Sequence, residues 1–159
     1  MSQIEYIEGD QTLLDQIAPL WEQLKQYHAS VSTYFTDAYT DFTFDMRQKQ
    51  LTEKSGDGQL RVVLARDRDR SEYVGYCVAT ITPDGVGEVD SLYVDNSYRG
   101  QDIGTRLTET VLNWFERNKV SSRFILVAYG NDRVLEFYRR FGFYPRSYIL
   151  KEPPKKSDG

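Results

Sequence analysis

The order of apolar and polar positions divides the chain into strand-like and helix-like stretches. Gln3 to Ile7 alternates in the manner of a short strand. Leu13, Leu14, Ile17, Leu20, Trp21 and Leu24 then recur at helical spacing, which predicts an amphipathic helix from about Asp10 to about His28. A second helix is expected from Thr36 to about Lys54 on Phe42, Met46 and Leu51, with Gly56-Asp57-Gly58 ending it. Three runs rich in β-branched and aromatic residues follow: Leu60 to Ala65, Tyr73 to Ile81 and Val86 to Val94. The turn chemistry between them, Arg66-Asp67-Arg68-Asp69-Arg70 and Pro83-Asp84-Gly85, makes them consecutive antiparallel strands. Ile103, Leu107, Val111, Trp114 and Phe115 predict a helix that ends near Asn118. The apolar run Phe124 to Ala128 reads as a central strand buried on both faces. Val134, Phe137, Tyr138 and Phe141 mark a last helix with Gly142 as its C-terminal cap, and Tyr144 to Leu150 reads as a final strand. The expectation is a single domain over 1–151, with 152–159 a flexible tail.

The strand from Val86 and the strand from Phe124 are joined through a helix, and such a crossover makes them a parallel pair in an otherwise antiparallel sheet. The fold class is therefore α/β with a mixed sheet. The strand Val86–Val94 has an irregular phase: Val89 is odd while Leu92 and Val94 are even, so a regular strand cannot point all three to one face. A one-residue bulge would restore the phase and leave backbone donors unused, whereas a strand buried on both faces would need none; spacing alone leaves both open. Glu88 and Asp90 stand two apart on this strand, placed either as solvated carboxylates or as proton acceptors.

Composition narrows the chemistry. An apolar share of 40% in 159 residues suffices for a core, and 12 Tyr, 8 Phe and 2 Trp supply rigid aromatic walls. The net charge of −4, with no concentrated basic face, argues against a nucleic-acid partner. Cys77 is the sole cysteine and reads as a small core residue; His28 is the sole histidine and reads as packing or capping. Neither a disulfide nor a Cys/His metal site is expected, and the setting suggested is reducing and cytoplasmic. No apolar run is long enough for a membrane span, and the start lacks the pattern of a signal peptide.

Tyr98-Arg99-Gly100-Gln101-Asp102-Ile103-Gly104-Thr105 joins a strand to a helix. Glycines there let the backbone approach a ligand, the first helical amides lack internal partners, and the helix dipole is positive at that end, so phosphate is the natural guest. Arg99 adds a forked, permanently charged donor. The chain has no Gly-Lys-Ser/Thr, and Gly85-Val86-Gly87 lacks the rest of a dinucleotide fingerprint.

Three features together resemble the GNAT superfamily of acyl-CoA-dependent N-acetyltransferases, most strongly from Val86 to Phe143. Leu92-Tyr93-Val94 resembles the end of the family's fourth strand. Arg99-Gly100-Gln101-Asp102-Ile103-Gly104 resembles its pyrophosphate loop, with Asp102 standing where the family has glycine. Asn131, Val134, Phe137, Tyr138, Gly142 and Phe143 match its Asn-x-x-Ala-x-x-Leu-Tyr-x-x-x-Gly-Phe helix. The resemblance implies a twisted, mostly antiparallel sheet with a splayed parallel central pair and about four helices, and acetyl-CoA as cosubstrate with no metal.

It further implies that the pantetheine arm bonds to backbone at Leu92, Tyr93 and Val94, and that Arg99, Gly100, Gln101, Asp102, Ile103, Gly104 and Thr105 hold the diphosphate. Asn131 is implied to touch the cofactor arm, although a helix N-cap role accounts for it equally well. Tyr138 corresponds to the proton donor for the departing thiolate, and on its spacing alone it could equally be a packing residue; Glu88 or Asp90 is the candidate base. Asp37, Asp41 and Asp45 are spaced to line one side of the second helix, and with Tyr34 and other aromatics they form either a solvated face or a site for a cationic amine. The expected reaction is acetyl transfer to a small cationic amine, with a homodimer compatible with the resemblance. The alternatives are a protein lysine or N-terminal acetyltransferase, an inactive acyl-CoA sensor, and an aromatic protein-interaction domain.

Overall fold

A computed structural model describes residues 3–155, so 156–159 of the expected tail lie outside the described residues. Its sheet has five strands in the order of the chain: β1 (Ile4–Gly9), β2 (Gln59–Asp67), β3 (Glu72–Ile81), β4 (Val86–Val94) and β5 (Ser122–Ile125). The first four pair antiparallel, and β4 pairs with β5 in parallel. This is the mixed α/β sheet that the crossover demanded.

Five α-helices accompany the sheet: α1 (Ala18–Val31), α2 (Thr36–Thr40), α3 (Phe44–Ser55), α4 (Ile103–Arg117) and α5 (Asp132–Arg139). Side chains divide between its two faces as strand alternation requires. Val62, Leu64, Tyr76, Val78 and Tyr93 meet Leu14, Ile17, Leu20, Trp21 and Leu51 on the side of α1 and α3. Val63, Ala65, Cys77, Ala79 and Val89 meet Ile103, Leu107, Val111, Trp114 and Phe115 of α4 on the other. Gly87 lies directly under the Phe115 ring, which would come within 3.0 Å of any Cβ there.

Three expectations require correction. The first helix is split: Gln11–Ile17 is a 3-10 stretch, and the α-helix begins only at Ala18. Pro19, which has no amide hydrogen, is tolerated in the first helical turn but breaks the bond pattern of a helix already under way. The second helix is also two helices. Thr43 is extended and its side chain accepts from the Met46 amide at 3.2 Å, so it caps a fresh start at Phe44. Asp37, Asp41 and Asp45 therefore do not share one helix face.

The third correction concerns the end of the chain. Residues 144–150 form no strand, and Tyr144, Tyr148, Ile149 and Leu150 are exposed. Among the described residues β5 has no neighbour on that side and is the sheet edge rather than a buried central strand, and Phe124 is 41% exposed.

Candidate functional site

The site starts from an irregularity in β4. On β3, Val78 and Ala79 face opposite sides of the sheet, yet they pair with Ser91 and Val89, leaving Asp90 as an extra residue. This bulge puts Val89 into the core beneath α4 with Leu92 and Val94 packed against it, although their spacing is odd. It also sends Ser91 and Tyr93 to the opposite face, where Ser91 Oγ meets the Tyr76 hydroxyl at 2.7 Å and Tyr93 donates to Gln23 Oε1 at 3.0 Å. Of the two readings the sequence left open, the bulge is the one found. The parallel pairing of β4 with β5 stops at Val89 and Ile125, one residue before it, and beyond that point the two strands are no longer joined.

Glu88 and Asp90 come together on the α3 side of β4. Lys54 Nζ reaches Glu88 Oε1 at 2.5 Å and also bonds Asp90 Oδ1, while the Thr80 hydroxyl donates to Asp90 Oδ2 at 2.7 Å. Arg47, one helical face along α3, donates to the Asp90 carbonyl at 2.8 Å. The Asp90 side chain has no exposed area, and burial raises the Glu88 carboxyl above its usual range; repulsion from Asp90 adds to this and Lys54 opposes it. Lys54, Arg47 and Thr80 were not among the residues singled out from sequence. The available signal was two cations, Arg47 and Lys54, flanking Leu51 on the helix side that packs onto the sheet.

The loop after β4 is built as an anion receiver. A short 3-10 turn (Asn96–Tyr98) leads to Gly100 at φ +83° and Asp102 at φ +60°, with open space around the Gly100 Cα. The Asp102 carbonyl accepts the first helical bond, from the Arg106 amide at 3.0 Å. The amides of Ile103, Gly104 and Thr105 therefore have no partner within α4. Asp102 occupies the N-cap position but its side chain makes no cap bond. Its left-handed backbone explains why a glycine suits this place, and aspartate is among the few other residues that adopt it. Gln101, Asp102, Thr105 and Arg106 line a shallow cavity with Tyr6 and Arg140.

Guanidinium groups surround the loop. Arg99 turns back to β4, donating to the Val94 carbonyl at 3.3 Å and lying 5.7 Å from the Tyr93 ring. Arg140, absent from the sequence expectations, stacks on Phe137 at 5.7 Å and donates to Thr105 Oγ1 at 3.2 Å. A Cβ at Gly104 would meet Phe137 and Val94 at ordinary contact distance, so the loop, the end of β4 and α5 converge there.

Tyr138 is oriented by the way α5 ends. Gly142 at φ +86° lets its own amide bond the Arg139 carbonyl at 3.0 Å and the Phe143 amide bond the Tyr138 carbonyl at 3.2 Å, a Schellman closure. The chain reverses, and Phe143 lands edge-on against Tyr138 at 6.2 Å, with Phe137 on it at 5.2 Å. The side chain is only 6% exposed, and burial drives its phenol well above the ordinary tyrosine range. No hydrogen bond to the hydroxyl appears among the described residues. Asn131 stands at the N-cap position of α5 without a cap bond, and its Oδ1 accepts from the Tyr27 hydroxyl at 3.5 Å.

The candidate amine-binding surface is less organised. Tyr34, Asp37 and Asp41 are exposed, while Phe42 and Phe44 pack on Trp21 at 6.0 and 5.5 Å as core aromatics. His28 packs between Tyr27 and Tyr39, and burial lowers its pKa. Among the described residues there is no group of three or more His, Cys, Asp or Glu that could hold a metal, and no helix long and apolar enough to cross a membrane.

A family model described as Acetyltransferase (GNAT) family matches residues 21–143. Among solved structures, the fold is similar to that of a mutant of the BH1408 protein from Bacillus halodurans, with TM-score 0.69 and 18% identity over 95% of this chain and 99% of that one. It is also similar to a ribosomal-protein-alanine N-acetyltransferase from Brucella melitensis biovar Abortus 2308, with TM-score 0.64 and 16% identity over 94% and 99%. The aminoglycoside N-acetyltransferase AAC(6')-Iy in complex with CoA matches with TM-score 0.65 and 15% identity over 98% and 97%. No curated protein matches the sequence.

Proposed function

Because the chain belongs to the GNAT acetyltransferase family, we propose that it transfers the acetyl group of acetyl-CoA to a primary amine, by direct attack with both substrates bound. The observation that carries this reading is the end of β4–β5 pairing at Val89 and Ile125, next to the Asp90 bulge. Unpaired main chain there can take up an extended pantetheine arm as an added strand would be taken up, at Leu92, Tyr93 and Val94. The free amides of Ile103, Gly104 and Thr105, with Gly100, Gln101 and Asp102 in the approach and Arg99 and Arg140 beside them, suit the diphosphate in charge and in donor supply.

The chemical steps then fall to groups on the two sides of β4. An alkylamine is mostly protonated near neutral pH, so a base must take its proton before attack. Glu88 fits that task better than Asp90, because it is the carboxyl already raised toward neutrality and retains a little exposure, whereas both Asp90 oxygens are engaged. A main-chain amide freed where β4–β5 pairing ends would suit the oxyanion. Tyr138 supplies a phenol that burial keeps neutral, so it donates a hydrogen bond to sulfur while the C–S bond breaks; the second proton shed by the acylated nitrogen goes to the departing sulfur, which leaves as the thiol, and the first, taken by the base, passes to solvent.

The acceptor we favour is a small amine, in keeping with the solved neighbours named as aminoglycoside acetyltransferases. A peptide acceptor is the second reading, and the fold likeness to a ribosomal-protein-alanine N-acetyltransferase is what recommends it. Two measurements test the proposal: the thermal shift with acetyl-CoA, and thiol release across panels of small amines and of peptides. A ligand at a hundred times its dissociation constant stabilises a fold by about 2.7 kcal/mol. Absence of any shift would remove the cofactor, and thiol release on peptides alone would favour the second reading.

A further inference from the structure

Lys54 stands apart from the groups an acetyl transfer would recruit by family likeness, yet among the described residues it is the one cation in contact with both carboxylates of β4. Its ammonium lies between Glu88 Oε1 and Asp90 Oδ1, and about a third of its side chain remains accessible. We propose that Lys54 is a positioning residue that keeps the base on β4 ionised while the paired carboxylate Asp90 is held beside it. The proposal rests on the acetyl-transfer reading above and adds to it the device that sets the working pH of the site.

The physical problem is that two carboxylates on neighbouring positions of one strand, both largely removed from water, cannot readily both be charged. Glu88 is subject to burial and to the charge of Asp90, both of which favour its protonated form. A protonated base cannot accept the proton of an ammonium substrate. One shared cation relieves both groups together and leaves the trio with a single net negative charge, an arrangement that still attracts a cationic acceptor.

The other groups facing the pair cannot substitute. On β3 the contact is the Thr80 hydroxyl, which carries no charge, while Cys77, a buried thiol whose pKa burial raises, lies on the opposite face with the α4 residues. On β5 the residue paired with Glu88 is Phe124, and the adjacent Arg123 is engaged with Glu116 of α4. On α3, Arg47 is spent on the Asp90 carbonyl rather than on either carboxylate. Among the described residues Lys54 alone supplies the positive charge at contact distance.

A lysine that merely fastened α3 to the sheet would lower activity equally at every pH, whereas one that governs ionisation of the base acts on the acid limb. The experiment is the pH profile of kcat/KM for Lys54→Met, Lys54→Arg and the double variant Lys54→Met/Asp90→Asn, with an amine that the parent acetylates. Loss of one opposite charge at ion-pair distance should cost Lys54→Met about ten-fold or more on the acid limb, with the deficit closing as the pH rises. Lys54→Arg should keep the parent's limb, and the double variant should recover part of the loss because the repelling charge is gone. A uniform deficit at all pH values, or an unmoved limb in Lys54→Met, would overturn the proposal.

If the parent turns over no amine, the transfer reading fails, but Lys54 can still be judged. Carbon-detected NMR titration of the Glu88 carboxyl should show its midpoint higher in Lys54→Met than in the parent, and an unchanged midpoint would refute the assignment. Should Lys54→Met fail to fold, Lys54→Met/Asp90→Asn is compared with Asp90→Asn, from which it differs only at Lys54; a higher Glu88 midpoint in the double variant is expected, and an equal one would refute the assignment.

Discussion

Replacing Asp102 separates two effects that coincide at the entrance to α4. The residue holds φ +60° and ψ +19°, and an L-residue in the left-handed region costs about 1–2 kcal/mol, with aspartate toward the lower end. Glycine abolishes that cost but gives back about 0.5–1 kcal/mol as unfolded-chain entropy, so Asp102→Gly should gain no more than about 1 kcal/mol, roughly 2–4 °C in Tm for a chain of this size. Asp102→Asn should leave stability near the parent, and Asp102→Ala should lower it by about 1 kcal/mol because alanine tolerates this conformation poorly. The charge acts on the ligand instead. A unit pair at 4 Å in water is worth about 1 kcal/mol and a diphosphate bears two charges, so removing the carboxylate should improve coenzyme A affinity by up to about thirty-fold. Calorimetric titration at low salt should therefore rank Gly and Asn alike and ahead of the parent, with the advantage shrinking in high salt as screening grows. If Asn and Gly bind no more tightly than aspartate at low ionic strength, the loop does not face the diphosphate and the account of the anion site is wrong.

Other consequences of the geometry can be checked separately. Tyr138→Phe should lower kcat by about 100-fold with little change in coenzyme A affinity, and since burial keeps the phenol protonated, a basic limb in the parent's profile should persist in the variant. Glu88→Gln should cost about 100-fold or more in turnover. Its effect on stability follows from the raised carboxyl: the folded state is at no disadvantage below the ordinary glutamate range and becomes disadvantaged as the pH climbs through the raised one. The Tm of Glu88→Gln relative to the parent should accordingly be more favourable at pH 7.5 than at pH 4, and an opposite trend would show that Lys54 outweighs burial. Gly142→Ala places a side chain at φ +86°, which should cost about 1–2 kcal/mol in urea unfolding. It should also depress turnover beyond the loss of fold, through the Phe143 contact that orients Tyr138.

The framework was legible in the sequence wherever a local rule had no strong competitor. β4 ran from Val86 to Val94 as its apolar pattern predicted, and the odd placement of Val89 against Leu92 and Val94 raised the bulge as one of two readings without deciding for it. Gly142 revealed the end of α5 because left-handed closure leaves so few candidates. Misreadings arose where a polar residue outvoted hydrophobic period. Thr43 restarts a helix that Phe42 and Met46 made look continuous, and Pro19 delays one that Leu13 to Leu24 seemed to begin earlier. Phe124 to Ala128 looked buried because burial was inferred from composition, while a strand's place in a sheet depends on which neighbour arrives. Lys54 and Arg140 were missed for a related reason: their partners lie 34 and 35 residues away, and no local spacing encodes such a meeting.

The supernumerary residue in β4 is one that the strand could shed without changing faces. Excising Asp90 would set Ser91 directly after Val89, in the strict alternation the two already keep against Val78 and Ala79, so every side chain from Ser91 onward would hold its present side. Ser91 and Tyr93 would keep Tyr76 and Gln23, and Leu92 and Val94 would stay against the α4 cluster. What a single-codon deletion would remove is the carboxylate held by Lys54 and Thr80 and the irregularity beside which β4 parts from β5, so it should spare the fold and spoil the site.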